Sequence, residues 1–212
     1  MKNLFFLVGA IALGTACNTS DTASGTLERY FKEVPAPDTL LFELAEDGGQ
    51  VPGDTIPVAT FLDKINDRLL NDIPFFDTTG DLTILGGQRF PVAENVEAFE
   101  VHFFQNWFQN QSLFLFDKNK NAITGRITAA EFYGGDGGQI LTGSWLFDYN
   151  GDGDPDLVRT EIEHWINLSS DEPAEKVEQR VSLLLWNGGG FTESEVLDSA
   201  ALMQAFPVKS WW

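Results

Sequence analysis

Nine residues constrain this chain more than any others: Asp148-Tyr149-Asn150-Gly151-Asp152-Gly153-Asp154-Pro155-Asp156. Four carboxylates and an asparagine share one short stretch, and charges so close repel unless a cation lies among them. Oxygen ligands at positions 1, 3, 5 and 9, with a backbone carbonyl at 7, form a calcium cage, and Gly153 at position 6 permits the sharp turn such loops need. On this reading Asp148, Asn150, Asp152 and Asp156 supply side-chain oxygens and Asp154 its carbonyl. The alternative is a solvated Asn-Gly/Asp-Gly hairpin turn without metal. Either way the loop joins strands. Position 12, a bidentate Glu in a helical EF-hand, is Arg159, and Pro155 interrupts any helix.

The start of the chain carries an address. Lys2 precedes the apolar run Leu-Phe-Phe-Leu-Val-Gly-Ala-Ile-Ala-Leu (residues 4–13). That run is far short of the roughly 20 residues that span a bilayer, so residues 1–16 read as a signal peptide. Gly14-Thr15-Ala16-Cys17 follows and holds the only cysteine. It resembles the lipobox of bacterial lipoproteins, with Gly14 where Leu is usual. The resemblance implies cleavage before Cys17, acylation of Cys17, and a place in the bacterial envelope, on the outer membrane. The alternative is a secreted protein with one free thiol. Residues 17–26 are small and polar and read as a flexible tether. Ser20-Asp21 in that tether resembles the short acidic export tags of surface-exposed lipoproteins, and the alternative is an ordinary linker.

Residues 27–212 suffice for one domain with its own core. A net charge of −19 argues against nucleic acid and anionic lipid surfaces as partners and favours divalent cations. A lone cysteine leaves no disulfide to stabilise an exported domain. Two early helices are expected. One covers 27–32 and ends before Pro35. The other covers 60–70, where Phe61, Ile65 and Leu69 recur at i, i+4 and i+8. From there the pattern is mainly β, as an antiparallel sheet of blade-like or sandwich-like form. Strands are predicted at 82–85, 97–108, 112–116, 122–132, 139–147, 157–168 and 177–186. Asp117 to Asn121, Gly134 to Gly138 and Ser169 to Pro173 read as hairpin connections. After the acidic loop, Val158, Thr160, Ile162, His164, Ile166 and Leu168 alternate onto one face.

Phe147 to Val158 resembles the calcium hairpin of the FG-GAP/VCBS-type repeat. Leu184-Leu185-Trp186-Asn187-Gly188-Gly189-Gly190-Phe191-Thr192 resembles its closing strand and turn. Together they mark a unit at about 145–192. That family stacks several such units into a propeller, whereas one is visible here. The resemblance implies a bound calcium ion and a surface binding or adhesion role.

Catalytic signatures are absent. The chain has two histidines. His164 falls on an apolar strand face, and His102 is expected on a polar surface. No His-Glu-x-x-His or Gly-x-Ser-x-Gly occurs. An acid pair of a surface glycan hydrolase remains a rival reading, and a purely structural envelope component a third. Of the aromatic residues, Phe103, Phe104, Trp107 and Phe108 are expected mainly in the core. Trp211 and Trp212 are open between docking on the sheet and contacting a protein or glycan ligand.

Overall fold

The seven segments patterned as strands become seven consecutive strands of one antiparallel meander. The computed structural model describes residues 27–46, 53–74, 76–135, 137–167, 174–195 and 198–212. The signal peptide, the tether, Cys17 and the 169–173 turn lie outside them. The meander runs β4 (Leu82–Ala93), β5 (Val96–Gln105), β6 (Phe108–Asp117), β7 (Ala122–Gly135), β8 (Gly138–Phe147), β9 (Asp156–Asn167) and β10 (Ala174–Trp186). A short β11 (Phe191–Ser194) follows β10. Three short strands complete the sheet: β1 (Lys32–Glu33) runs parallel to β4, β3 (Asp54–Thr55) pairs with β4, and β2 (Thr39–Phe42) pairs with β8. The result is a mainly β fold built on one large, open, mixed sheet of 11 strands.

Aromatic and β-branched alternation explains the long strands. Phe99, Val101 and Phe103 of β5 and Phe108, Phe114 and Phe116 of β6 point to one face. Val96, Ala98, Leu113 and Leu115 point to the other, where they join Ile127, Leu146, Leu157, Leu184 and Trp186 in a second core. The first face is covered by the segment between residues 27 and 76. Phe61 meets Phe103 and Phe114 edge-on, each at 5.5 Å, and Phe31 lies 4.9 Å from Phe99. Such contacts add to the burial of each ring.

Both expected helices are shorter than the periodicity predicts. The apolar stripe of 60–70 is buried as expected at Phe61 (1% exposed) and Ile65 (5%). Its α-helix, α1, covers only Val58–Leu62. Asn66 then accepts a hydrogen bond from the Arg68 backbone N–H and starts a separate 3-10 turn, Asp67–Leu69. A side chain that bonds its own backbone competes with helix continuation. At 27–32 the helix reduces to a 3-10 turn, Glu28–Tyr30, because Lys32 and Glu33 are recruited as β1 beside Gln88 and Arg89. Gly86 makes that approach possible: a Cβ there would come within 2.4 Å of the Tyr30 carbonyl oxygen.

Candidate functional site

The acidic loop joins β8 to β9, where the sequence places it. Its carboxylates are turned largely onto the loop's own backbone. Asp148 Oδ1 accepts from the N–H groups of Gly151 (2.7 Å) and Asp152 (3.1 Å), and Oδ2 from Gly153 (2.9 Å). Asn150 Oδ1 accepts from Asp152 N–H, and Asp152 Oδ1 from Asp154 N–H. Gly151 and Gly153 hold φ of 80° and 92°, where a side chain would be strained. Asp148, Asn150 and Asp152 are exposed and Asp154 is half-buried. Among the described residues no three acidic, histidine or cysteine side chains converge as a metal-holding group. The loop as it stands is therefore an Asx-turn cluster closed by N–H donors.

Asp156 differs from its neighbours. It is completely buried and ties two hairpins together, accepting from Tyr149 N–H (3.2 Å) inside the loop and from Trp186 N–H (2.9 Å) on β10. Burial pushes its pKa up, and the charge of Asp152 adds to the rise. The N–H groups of Trp186, Tyr149 and Asn150 oppose it.

Two further acids lie within the sheet away from the loop, Glu131 buried and Glu100 half-buried. His102, expected on a polar surface, is only 5% exposed, and its Nε2 lies 2.9 Å from Glu100 Oε1. A break in register between Gly86 and Arg89 makes the room, since a Cβ at Gly87 would sit 2.8 Å from Glu100 Cδ. Burial alone would raise the Glu100 pKa. The hydrogen bond and charge of His102, with donors from Gln88 and Gln111, outweigh it and hold the pKa below the usual value. Glu131 shows the opposite balance. Burial raises its pKa, against a hydrogen bond from Asn110 and the charges of Arg126 and Arg159. Neither Glu100 nor Glu131 lines any of the three described hollows, and both bond to neighbouring strands as internal supports of the sheet.

Aromatic residues line one of the described concave surfaces. A cleft of about 350 Å³ opens between the β5–β6 turn, the β7–β8 hairpin and β9. Trp107, Phe132, Gln139, His164, Trp165 and Ile166 line it, with Gly134, Gly135, Gly137 and Gly138. Trp107 is 48% exposed, unlike its neighbours Phe103 (0%) and Phe108 (2%), which are core as expected.

The question left open for Trp211 and Trp212 is decided by docking. Helix α2 (Ser199–Ala205), capped by Asp198, delivers the last residues to the sheet. Phe206 stacks on Phe147 at 4.7 Å, and Trp145 Nε1 donates to the Pro207 carbonyl at 3.0 Å. Val208 lies over Gly143, where any Cβ would meet it at 2.6 Å. Trp211 packs 4.6 Å from Phe132, and Trp212 stacks on His164 at 4.9 Å and 18° while its Nε1 donates to Gln139 Oε1. The segment thus braces three residues that also line the cleft: Phe132, Gln139 and His164. Sequence reasoning missed this assembly, because its members are scattered from Trp107 to Trp212. The run Gly134 to Gly138 was its one local signal.

Comparison with protein-family models, curated proteins and solved structures finds no match to this chain. Fold and site define its class: a mainly β, open-sheet protein with an aromatic cleft and an acidic hairpin. No more particular identification follows from the comparisons.

Proposed function

We propose that this chain is a lipid-anchored binding module of a bacterial cell envelope, held by acyl chains on Cys17. The observation that carries the binding reading is the aromatic cleft: a preformed hollow, rich in aromatic rings, with a few polar groups at its walls. The anchor rests on the leader, the Gly14-Thr15-Ala16-Cys17 junction and the polar tether. No described helix is long and apolar enough to cross a membrane, and a lipid anchor requires none. Several buried acyl chains, at about 0.8 kcal/mol per CH₂, hold such a protein stably. Cys17→Ala is expected to move the protein from the membrane pellet to the soluble fraction. Unchanged sedimentation with membranes would sink the anchor.

The proposal includes calcium at the β8–β9 loop. It is supported by the spacing of Asp148, Asn150, Asp152 and Asp156 and by the loop's position in the hairpin that joins β8 to β9 within the antiparallel run β8 to β11. Occupation requires Asp148 and Asp152 to release some N–H donors and turn their oxygens to the ion. At about tenfold excess over Kd the ion would stabilise the fold by ~1.4 kcal/mol, a modest local reinforcement. Calorimetric titration is expected to show saturable calcium binding, abolished in the Asp148→Ala/Asp152→Ala variant. A flat isotherm at several millimolar calcium would reduce the loop to a turn.

A further inference from the structure

We propose that the free edge of β10 is a homodimer interface: a second copy of this chain pairs antiparallel along residues 176–182, centred on Gln179, and the two sheets join edge to edge. The proposal goes beyond the binding reading and uses neither the cleft nor the acidic loop.

Three observations converge. First, the edge is open. β10 pairs with β9 along 174–184 without a register shift, while β11 covers its other side only at 183–186. On that side 174–182 has no strand partner among the described residues, and every residue from 174 to 180 is exposed. The direction of the backbone groups follows from the end of the strand. Trp186 N–H turns to the β9 side, onto Asp156, and Asn187 N–H turns the other way, onto the Gly190 carbonyl. Residues two apart in a strand bond to the same side. Val177, Gln179 and Val181 therefore aim both N–H and C=O outward, a template for another strand.

Second, the charges along this edge complement those of a second copy in one register. Within 174–182 Glu175 and Glu178 are balanced by Lys176 and Arg180, although the chain carries a net charge of −19. Two copies related by a two-fold axis present the same face, so their antiparallel pairing is centred on a residue, never between two. Centring on Glu175, Lys176, Glu178 or Arg180 sets that charge directly against its own copy, which destabilises. Centring on Val181 runs into β11 at Leu183. Centring on Val177 runs past Ala174 before Val181 is paired. Centring on Gln179 uses the open edge and sets Glu178 opposite Arg180 of the second copy, twice by symmetry. Within one copy Arg180 is shared by three carboxylates, Glu163 at 3.0 Å, Glu178 at 3.6 Å and Glu161 at 3.8 Å. The second copy brings Glu178 another guanidinium.

Third, an exposed apolar patch borders the same edge. Val177 is 50% exposed, Ile166 39% and Trp212 38%. Val177 lies directly across from His164, the ring on which Trp212 stacks, and Ile166 follows two residues on along the same face of β9. Pairing about Gln179 lays Val181 of the second copy opposite Val177, where apolar cross-strand neighbours stabilise a sheet.

The test uses the full chain carrying Cys17→Ala, which removes the only native thiol and any lipid. Sedimentation equilibrium should show a monomer–dimer equilibrium at micromolar protein. Arg180→Glu should weaken the dimer at least about tenfold, and Glu178→Arg/Arg180→Glu should restore it, because the exchange rebuilds both charge pairs. Gln179→Pro removes an N–H that β9 does not use, so it should abolish the dimer with little change in melting temperature. The charge exchange keeps the test decisive should proline disturb the strand. Gln179→Cys should give a disulfide-linked dimer on mild oxidation, its two Cα atoms lying about 5.5 Å apart. Val177→Cys should not, its two copies being ~13 Å apart along the seam. A chain that stays monomeric at millimolar concentration would overturn the proposal. So would a dimer indifferent to Arg180→Glu and Gln179→Pro, or one that cross-links through Val177→Cys and not through Gln179→Cys.

Discussion

Phe103→Ala is expected to destabilise the protein by about 3–5 kcal/mol, the loss typical of a fully buried aromatic ring. Phe103 is 0% exposed, in the centre of β5. Its ring lies 5.5 Å from both Phe61 and Phe76, edge-on to each, and 6.1 Å from Phe114. It therefore joins the sheet to two points of the covering segment. Removing it leaves a cavity that those partners cannot easily close, because Phe61 is itself held by Phe114. A denaturant titration gives the value directly. A loss below about 1 kcal/mol would mean that the covering segment collapses into the space and is less firmly seated than described. Phe104, next in sequence, lies on the opposite face and is half-buried, so truncating it should cost clearly less.

The second large effect is expected at Asp156. Asp156→Ala removes the acceptor of two backbone N–H groups, one of them on buried Trp186. Hydrogen bonds to a charged group contribute about 1.5–3 kcal/mol each, and the burial cost of the carboxylate offsets part of that. A net loss of about 2–4 kcal/mol should follow. Asp156→Asn retains one acceptor oxygen and should lose about half as much. The pH dependence has a definite sign. Asp156 is raised in the fold, so above pH about 4 the unfolded chain gives up this proton while the folded chain keeps it. Stability contributed here falls as pH rises through that window, and Asp156→Asn should remove this slope. Glu131 acts in the same direction, because burial raises it too. Glu100 acts oppositely: its pKa is lowered, so its contribution is present above pH about 4.3 and lost as pH falls through the folded value. The test is thus the difference between wild type and Asp156→Asn, measured by melts across pH in chelator. Calcium in the loop would favour the ionised Asp156 and flatten the wild-type slope. Identical slopes in the two proteins would show that Asp156 keeps an ordinary pKa.

Much of the sheet was legible in advance because its signals are local. Period-two alternation and turn residues depend on neighbours a few positions away. Asp117 illustrates it: its Oδ1 accepts from Lys120 N–H, and Asn121 takes φ of 51° as such a turn needs. The β9 alternation also held at Val158, Thr160 and Ile162, all buried, and then faded to 39% exposure at Ile166. Leu157, on the opposite face, is buried as well. Alternation reports which residues share a face; what covers each face depends on distant parts of the chain.

The same division runs through the site. By itself the sequence determined the acidic hairpin, its two glycines, the strand order that flanks it and the Cys17 junction, each written in contiguous residues. Only the tertiary structure decided that helix 60–70 stops at Leu62, that His102 goes inside beside Glu100, and that Asp156 spans to Trp186. It alone brought Trp107, Phe132, His164 and Trp165 around one hollow and laid Trp211 and Trp212 against its walls. Those contacts join residues separated by tens of positions. Their formation depends on where the meander turns and which face the last segment crosses, and no local spacing encodes that.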